Sequence, residues 1–172
     1  MNSKRLDRSF FLRDVLNVAP ELPGKILVRR FEDGSLIRKT ILEVEAYRGA
    51  EDLACHASKG RTNRTEIMYH PGGVIYMYLI YGMYWMMNFV TGEREIPQAV
   101  LIRGIDGFNG PGKLTRELKI DKSFYGEDLI NSNRIWVEDP QIEYDIIKTK
   151  RIGIDYAGDP WKNMDWRYVI TG

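Results

Sequence analysis

The sequence has one cysteine, two histidines and almost no net charge, and each shortage excludes something. Cys55 alone cannot build an internal disulfide framework, and a multi-cysteine zinc site is excluded with it. A single thiol fits a reducing compartment. Cys55, His56 and His70 supply too few ligands at unsuitable spacing, so no metal is expected, and no cofactor either. The 25 Lys and Arg against 24 Asp and Glu leave +1, which argues against a histone-like protein or a basic tail. A nucleic-acid partner stays open, because the placement of charge decides that. Internal repeats and low-complexity linkers are lacking, so residues 1–172 read as a single domain. A chain this long buries roughly two thirds of its unfolded surface and folds without staples. Met1–Arg8 is basic with no apolar run behind it, so no secretory signal is expected.

A membrane span is lacking too. Val74–Val90 carries no charge, but it is 17 residues long against about 20 needed to span. Four tyrosines, a glycine and an asparagine are spread through it. Tyrosine belongs at membrane interfaces, not along a span. The run therefore reads as buried strand and active-site wall. At 44% hydrophobic and 28% charged, the chain as a whole reads as globular.

The spacing of apolar residues places the elements. A short amphipathic helix opens the chain, capped by Ser9, with Phe10, Phe11, Val15, Leu16 and Val18 apolar and Ala19-Pro20 ending it. Lys25–Phe31 reads as a strand, Asp33-Gly34 as a turn, and Ile37–Tyr47 as a second strand. Alternation puts Ile41, Glu43, Glu45 and Tyr47 on one face. Tyr47–Gly73 is a long polar loop with one helical turn, and loops of this length are functional or mobile. Val74–Ile80, Tyr84–Val90 after a kink at Gly82, and Ala99–Gly104 are strands. Gly110-Pro111-Gly112 precedes a helix over Lys113–Leu118, and strands alternate with turns from Ile135. The expected class is α+β, with a curved, mixed, largely antiparallel sheet and short surrounding helices.

Charge is less even than its total. Residues 1–40 sum to +4, 41–58 to −3, 59–116 to +3 and 117–172 to −3. An acidic islet between basic segments is either chance with solvated faces, or a carboxylate site flanked by phosphate-binding surface. The islet holds Glu45 at a strand end, Tyr47 two positions on, and His56 on the following loop. A positioned, partly desolvated carboxylate acts as a general base on water, and an aromatic face stacks on a flat ligand. The alternative is a strand-end Glu in a surface ion pair beside a half-buried Tyr. Six of the 20 aromatics fall between Tyr76 and Phe89. Such a stripe is core or ligand wall. Tyrosine hydroxyls and Asn88 need hydrogen-bond partners when buried, and Gly82 permits a turn that pushes Tyr81 outward.

Several runs taken together resemble the alkyladenine/3-methyladenine DNA glycosylase family. They are EAYRGAEDLACH (Glu45–His56), GRTNRTEIMYHPGGVIYMYLIYGMYWMMN (Gly60–Asn88), AVLIRGI (Ala99–Ile105) and GPGKLTRELKIDKSF (Gly110–Phe124). Phe10–Arg30 and RIGIDYAGDPW (Arg151–Trp161) are similar too, so the likeness covers about Phe10 to Gly172. The resemblance implies that Glu45 deprotonates a water that attacks C1′ of a damaged nucleotide, with oxocarbenium character. It implies that Tyr47 and Tyr78 sandwich the flipped base and that His56 closes the pocket. A methylated purine is cationic, and a cation over aromatic faces gains roughly 0.5–2 kcal/mol. Tyr81 matches a wedge that enters the duplex, and Tyr76 and Met83 take pocket or groove roles. Asn88 matches a residue that crowds the 2-amino group of guanine, and Arg103 one that holds the water and a phosphate. Lysine is lacking at every matched position, which implies a monofunctional enzyme using water and leaving an abasic site.

The implied partner is damaged double-stranded DNA. The protein is expected as a monomer without membrane or metal, in the cytoplasm at the bacterial nucleoid, or in the nucleus of a eukaryote. Lysine and arginine at Lys59, Arg61 and Arg64 read as phosphate contacts or as a mobile solvated loop. Gly110–Lys113 reads as a phosphate-facing helix start or a plain cap, and Lys148–Arg151 as a solvated basic turn. Cys55, Trp161 and Trp166 read as packing residues. A non-catalytic damaged-DNA binding module and a single-strand stacking platform remain competing readings.

Overall fold

A computed structural model describes residues 3–171. Its frame is a ten-stranded sheet with every observed pairing antiparallel. The expected α+β class therefore stands, and no parallel pair contributes among the described residues. The strands are β1 (Lys4–Arg5), β2 (Ile26–Arg30), β3 (Leu36–Tyr47), β4 (Ile75–Ile80), β5 (Tyr84–Thr91) and β6 (Gln98–Ile105). β7 (Phe108–Asn109), β8 (Ile135–Asp139), β9 (Ile146–Thr149) and β10 (Arg167–Ile170) complete it. The main path runs β1-β8-β2-β3-β6-β5-β4. β3 is the axis: its first half pairs with β2, and its second half lies between β6 and β10.

The uncharged Val74–Val90 run folds as the β4–β5 hairpin, with Ile75 opposite Phe89 and Ile80 opposite Tyr84. Its alternation sorts the two faces, since strand side chains point to opposite sides in turn. Ile75, Met77, Met87 and Phe89 enter the main apolar core with Val44, Ala46, Val100 and Ile102. Tyr76 and Val90 join a smaller cluster with Cys55, Ala57, Met68 and Ala99, against which Tyr47 and Tyr78 pack.

Two expectations are corrected here. The opening helix is two single turns, α1 (Arg8–Phe11) and α2 (Val15–Val18). Asp7 caps the first and Asp14 the second, not Ser9. Each carboxylate accepts a backbone N–H two residues on. Asp14 captures the amide of Leu16 and restarts the helix, as short acidic side chains do at N-caps. The broken geometry still buries Phe11, Val15 and Val18. Second, Ile41 does not share a face with Glu43. The β3–β6 register slips between Ile41 and Glu43 and again between Glu43 and Val44. Leu42 on β3 and Arg103 on β6 are the extra residues of two offsetting bulges. Ile41 thereby turns into the core while Glu45 and Tyr47 stay on the other side.

The loop between β3 and β4 contains two single-turn 3₁₀ helices, His56–Lys59 and Glu66–Tyr69, where one turn was expected. Helix α3 (Pro111–Glu117) lies against β5. Gly112 permits that approach: an added Cβ would meet Tyr84 Cδ1 at 2.8 Å. Among the described residues no helix is long and apolar enough to cross a membrane.

Candidate active site

β3, β4 and β5 turn one side toward the loop that carries Cys55 and His56, and a pocket opens between them. Tyr47, Ala54, Cys55, His56, Met68, Tyr76, Tyr78, Asn88, Ala99 and Tyr156 line about 350 Å³ of empty space, part of it open to solvent. The walls are aromatic. His56 and Tyr78 meet edge to face with ring centroids 4.4 Å apart, and Tyr76 and Tyr78 lie 5.5 Å apart. The His56 Nδ1 and Tyr76 hydroxyl are hydrogen-bonded at 2.8 Å. Burial, with Arg64 and Lys59 nearby, pushes the His56 pKa down to about 4. The ring is therefore neutral at pH 7. Asn88 is buried, and its amide makes long contacts of 3.4 Å to Tyr76 O and 3.5 Å to Met86 O.

Glu45 is not among the lining residues; it is bonded to one of them, Tyr47, and has no solvent exposure. Its Oε1 accepts from the Tyr47 hydroxyl at 2.8 Å, and its Oε2 from the Ile152 N–H at 2.6 Å. Arg103 Nη1 stands 3.6 Å from Oε1. Burial raises the Glu45 pKa; Arg103, the Ile152 amide and the Tyr47 hydroxyl oppose that rise. Each carboxylate oxygen has two lone pairs, so both keep room for one more donor. Arg103 owes its place to the β6 bulge, and it also pairs with Glu43 at 3.3 Å. Glu43 in turn takes Arg167 Nε at 2.5 Å. A buried carboxylate, held at a raised pKa and aimed by two donors, is suited to take a proton from water.

Tyr81 and Met83 stand apart from the pocket, at the tip of the β4–β5 hairpin. Tyr81 is 88% exposed and Met83 65%. Tyr81 and Gly82 both have positive φ, 52° and 65°, and Met83 N–H closes the turn on Ile80 O at 3.1 Å. The outward push expected of Gly82 is thus seen. Of the loop cations, Arg61 is engaged by Glu66 at 2.7 Å and Glu95 at 2.5 Å. Arg64 is exposed, with its guanidinium 5.4 Å from the Tyr78 ring centroid.

Sequence reasoning missed four contributors: Asp52, Arg151, the Ile152 amide and Tyr156. Arg151 corrects the expectation of a solvated basic turn. Lys148 and Lys150 are exposed, but Arg151 is buried in a bidentate pair with Asp52. The signal was present in the Arg151–Trp161 run, which had carried a family likeness without a role. Cys55 is a buried packing residue with its thiol pKa pushed up to about 11. Trp166 is core, and Trp161 packs against it.

A buried carboxylate bonded to the wall of an aromatic pocket, beside a hairpin that projects an exposed aromatic, is the class of site suited to a flat ligand and to general-base chemistry on water. Comparison with known proteins fixes the family. The family model for methylpurine-DNA glycosylase (MPG) matches residues 9–108 and 105–172. A protein of Borrelia garinii subsp. bavariensis is 43% identical over 96% of this chain and 95% of its own length. One of Psychrobacter cryohalolentis is 43% identical over 95% and 90%, and one of Natranaerobius thermophilus 42% over 96% and 95%. All three carry the name "Putative 3-methyladenine DNA glycosylase". The chain belongs to the methylpurine-DNA glycosylase family. It is a hydrolase that acts on DNA as a glycosylase, in base excision repair.

Proposed function

We propose that this protein removes alkylated and deaminated purines of the 3-methyladenine, hypoxanthine and ethenoadenine class from duplex DNA. The observation that carries this reading is Glu45: a fully buried carboxylate with a raised pKa, hydrogen-bonded to Tyr47 of the pocket wall. The damaged nucleotide leaves the stack, and its base enters between Tyr47 and Tyr78, with His56 closing the far side. Extrusion costs a few kcal/mol, less for a damaged or mispaired base, and that difference favours lesions. Glu45 takes a proton from a water as the water oxygen bonds C1′; the C1′–N bond breaks, and its electron pair departs with the base. The sugar gains oxocarbenium character on the way. Arg103 steadies the carboxylate and the water. Asn88 crowds the 2-amino group of guanine, Tyr76 anchors His56, and Tyr81 with Met83 fills the gap left in the duplex.

The pocket lining contains no lysine, which supports water as the nucleophile and an abasic site as the product. The names of the bacterial relatives support 3-methyladenine among the substrates. Their bacterial origin supports a cytoplasmic location at the nucleoid. The protein works as a monomeric single domain on this reading. The test is free-base release from duplex oligonucleotides carrying 1,N6-ethenoadenine or hypoxanthine. Glu45→Gln is expected to keep lesion binding and to lose release by roughly 100-fold or more. Full activity in that variant sinks the mechanism.

A further inference from the structure

The most deeply buried ion pair described in the molecule lies beside Glu45 and plays no part in the steps above. Arg151 and Asp52 have side chains with 0% exposure each. They meet fork to fork, Nη1 to Oδ2 at 2.6 Å and Nη2 to Oδ1 at 3.0 Å. Desolvating two charges is costly, and well-packed apolar residues of similar volume often serve a fold as well or better. Arg151 Nε is buried without any hydrogen-bond partner among the described residues, which adds to that cost. Stability alone therefore does not account for the pair.

Its contacts do. Arg151 also donates to Ala46 O at 3.0 Å, between Glu45 and Tyr47 on β3. It donates to Trp161 O at 3.2 Å, and its guanidinium lies 5.0 Å from the Tyr47 ring centroid. Asp52 accepts the N–H groups of Arg48 at 3.0 Å and Ala54 at 3.1 Å, at the start of the loop that continues to His56. One charge pair thus joins β3, the pocket loop and the strap from Arg151 to Trp161. The next residue of that strap, Ile152, places its amide on Glu45 Oε2, and Tyr156 farther along stands at the pocket rim with its hydroxyl on Ala54 O at 3.3 Å.

We propose that the Asp52–Arg151 pair is the positioning device of the active site, fixing the strap so that the Ile152 amide and the Tyr47 hydroxyl hold Glu45 in one orientation. The inference rests on the reading of Glu45 as the base. Arg151 and Asp52 are positioning residues, because they act through Ile152, Tyr47 and Ala54. The groups facing Glu45 are Glu43 and Tyr47 on β3, Arg103 on β6, Arg167 on β10, Tyr78 on β4, and Arg151 and Tyr156 on the strap, with Asp52 behind them. Arg103, Arg151 and the Ile152 amide all favour the ionised carboxylate. Loosening the strap removes the last two of these influences.

The test pairs Asp52→Leu with Arg151→Met, which preserves bulk and removes both charges, and compares it with Arg151→Lys. The double variant is expected to fold, by circular dichroism and thermal unfolding. It should bind lesion duplex within about twofold of the parent, measured in a Glu45→Gln background. Its single-turnover base release should fall roughly 100-fold, the loss typical of a reacting group displaced by about 1 Å. The acid limb of its pH–rate profile should move to higher pH, since the ionised carboxylate has lost support. Arg151→Lys keeps the charge and loses the fork, so its rate should fall while its acid limb moves less than the double variant's. A folded double variant with parental rate and profile overturns the proposal. If the double variant does not fold, Arg151→Lys with parental rate overturns it alone. Glu45→Gln separates the two failures. An active Glu45→Gln defeats the reading of Glu45 itself, whereas an inactive one beside indifferent strap variants defeats only the positioning role.

Discussion

The strands β3 to β6 have two faces built on opposite terms. One sends Val44, Met77, Phe89 and Ile102 into the apolar core. The other sends Glu45, Tyr47, Tyr76, Tyr78 and Asn88 to the pocket side. The core face gains by removing apolar area from water and by close packing. On the pocket face every buried hydroxyl, amide or carboxylate needs a partner, because an unpartnered one costs about 1–3 kcal/mol. The first face holds the sheet together, and the second spends part of that stability on fixed polar groups. The same two-residue alternation writes both, so neighbouring residues on one strand should fail in different ways.

Phe89→Ala against Glu45→Gln is the strongest way to break this contrast. Phe89 is fully buried and touches Phe11 edge to face, at 6.1 Å between centroids. Its truncation should cost about 3–5 kcal/mol in urea unfolding, with the remaining folded fraction still releasing base. Glu45→Gln can keep an acceptor for Ile152 and offer an amide to the Tyr47 oxygen. Its stability should stay within about 1 kcal/mol of the parent while base release is lost. A folded but inactive Phe89→Ala, or an unfolded Glu45→Gln, would erase the distinction.

The pocket face also carries its own pH signature. The His56 pKa is lowered to about 4, from 6.5, so folding favours the neutral ring. The stability this contributes is full above 6.5 and is lost as pH falls from there through about 4. The loss is at most roughly 3 kcal/mol, because the ring is partly open to water. Glu45 has the opposite sign. Its raised pKa means the ionised form is disfavoured by folding, so its penalty grows as pH rises from the ordinary 4.5 through the raised value and is absent below 4.5. Activity follows Glu45: base release should fall on acidification with a midpoint above the ordinary 4.5. Urea unfolding at pH 7.5 and 4.5 should show a smaller acid loss in His56→Asn than in the parent. An equal loss in both would place the acid sensitivity elsewhere.

The legible parts of this molecule are those written in short-range pattern. The Val74–Val90 run could be read as strand and active-site wall, and Glu45, Tyr47, His56, Tyr76, Tyr78 and Asn88 could be named from residue type, spacing and likeness. All but Glu45 line one pocket, and Glu45 is bonded to its Tyr47. Bulges leave no such mark. Nothing in the composition near Leu42 or Arg103 announces an extra residue, yet these two shifts turn Ile41 inward and bring Arg103 to Glu45. Helix caps compete locally, and Asp7 and Asp14 displaced Ser9 because each carboxylate reaches an amide two residues on. Asp52 and Arg151 are 99 positions apart, and Arg151 ends a run of lysines that looks solvated. Only the folded chain shows that one member of that run is buried.

The smallest effect belongs to Tyr81, on neither face. Its φ of 52° is a conformation that costs a non-glycine residue about 1–2 kcal/mol, and its side chain buries almost nothing in return. Strain kept without packing gain is expected where an exposed ring has a task outside the fold. Asn tolerates this conformation better than Tyr and removes the ring. Tyr81→Asn should therefore leave stability unchanged or raise it by about 0.5 kcal/mol, a shift of roughly 1–2 °C in Tm. Base release from duplex should nevertheless fall by about tenfold, a fraction of the cost of holding a base out of the stack. Release from the same lesion in a single strand should barely change, since no stack needs filling. Equal losses on both substrates would assign Tyr81 to the pocket, against its position at the tip of the hairpin.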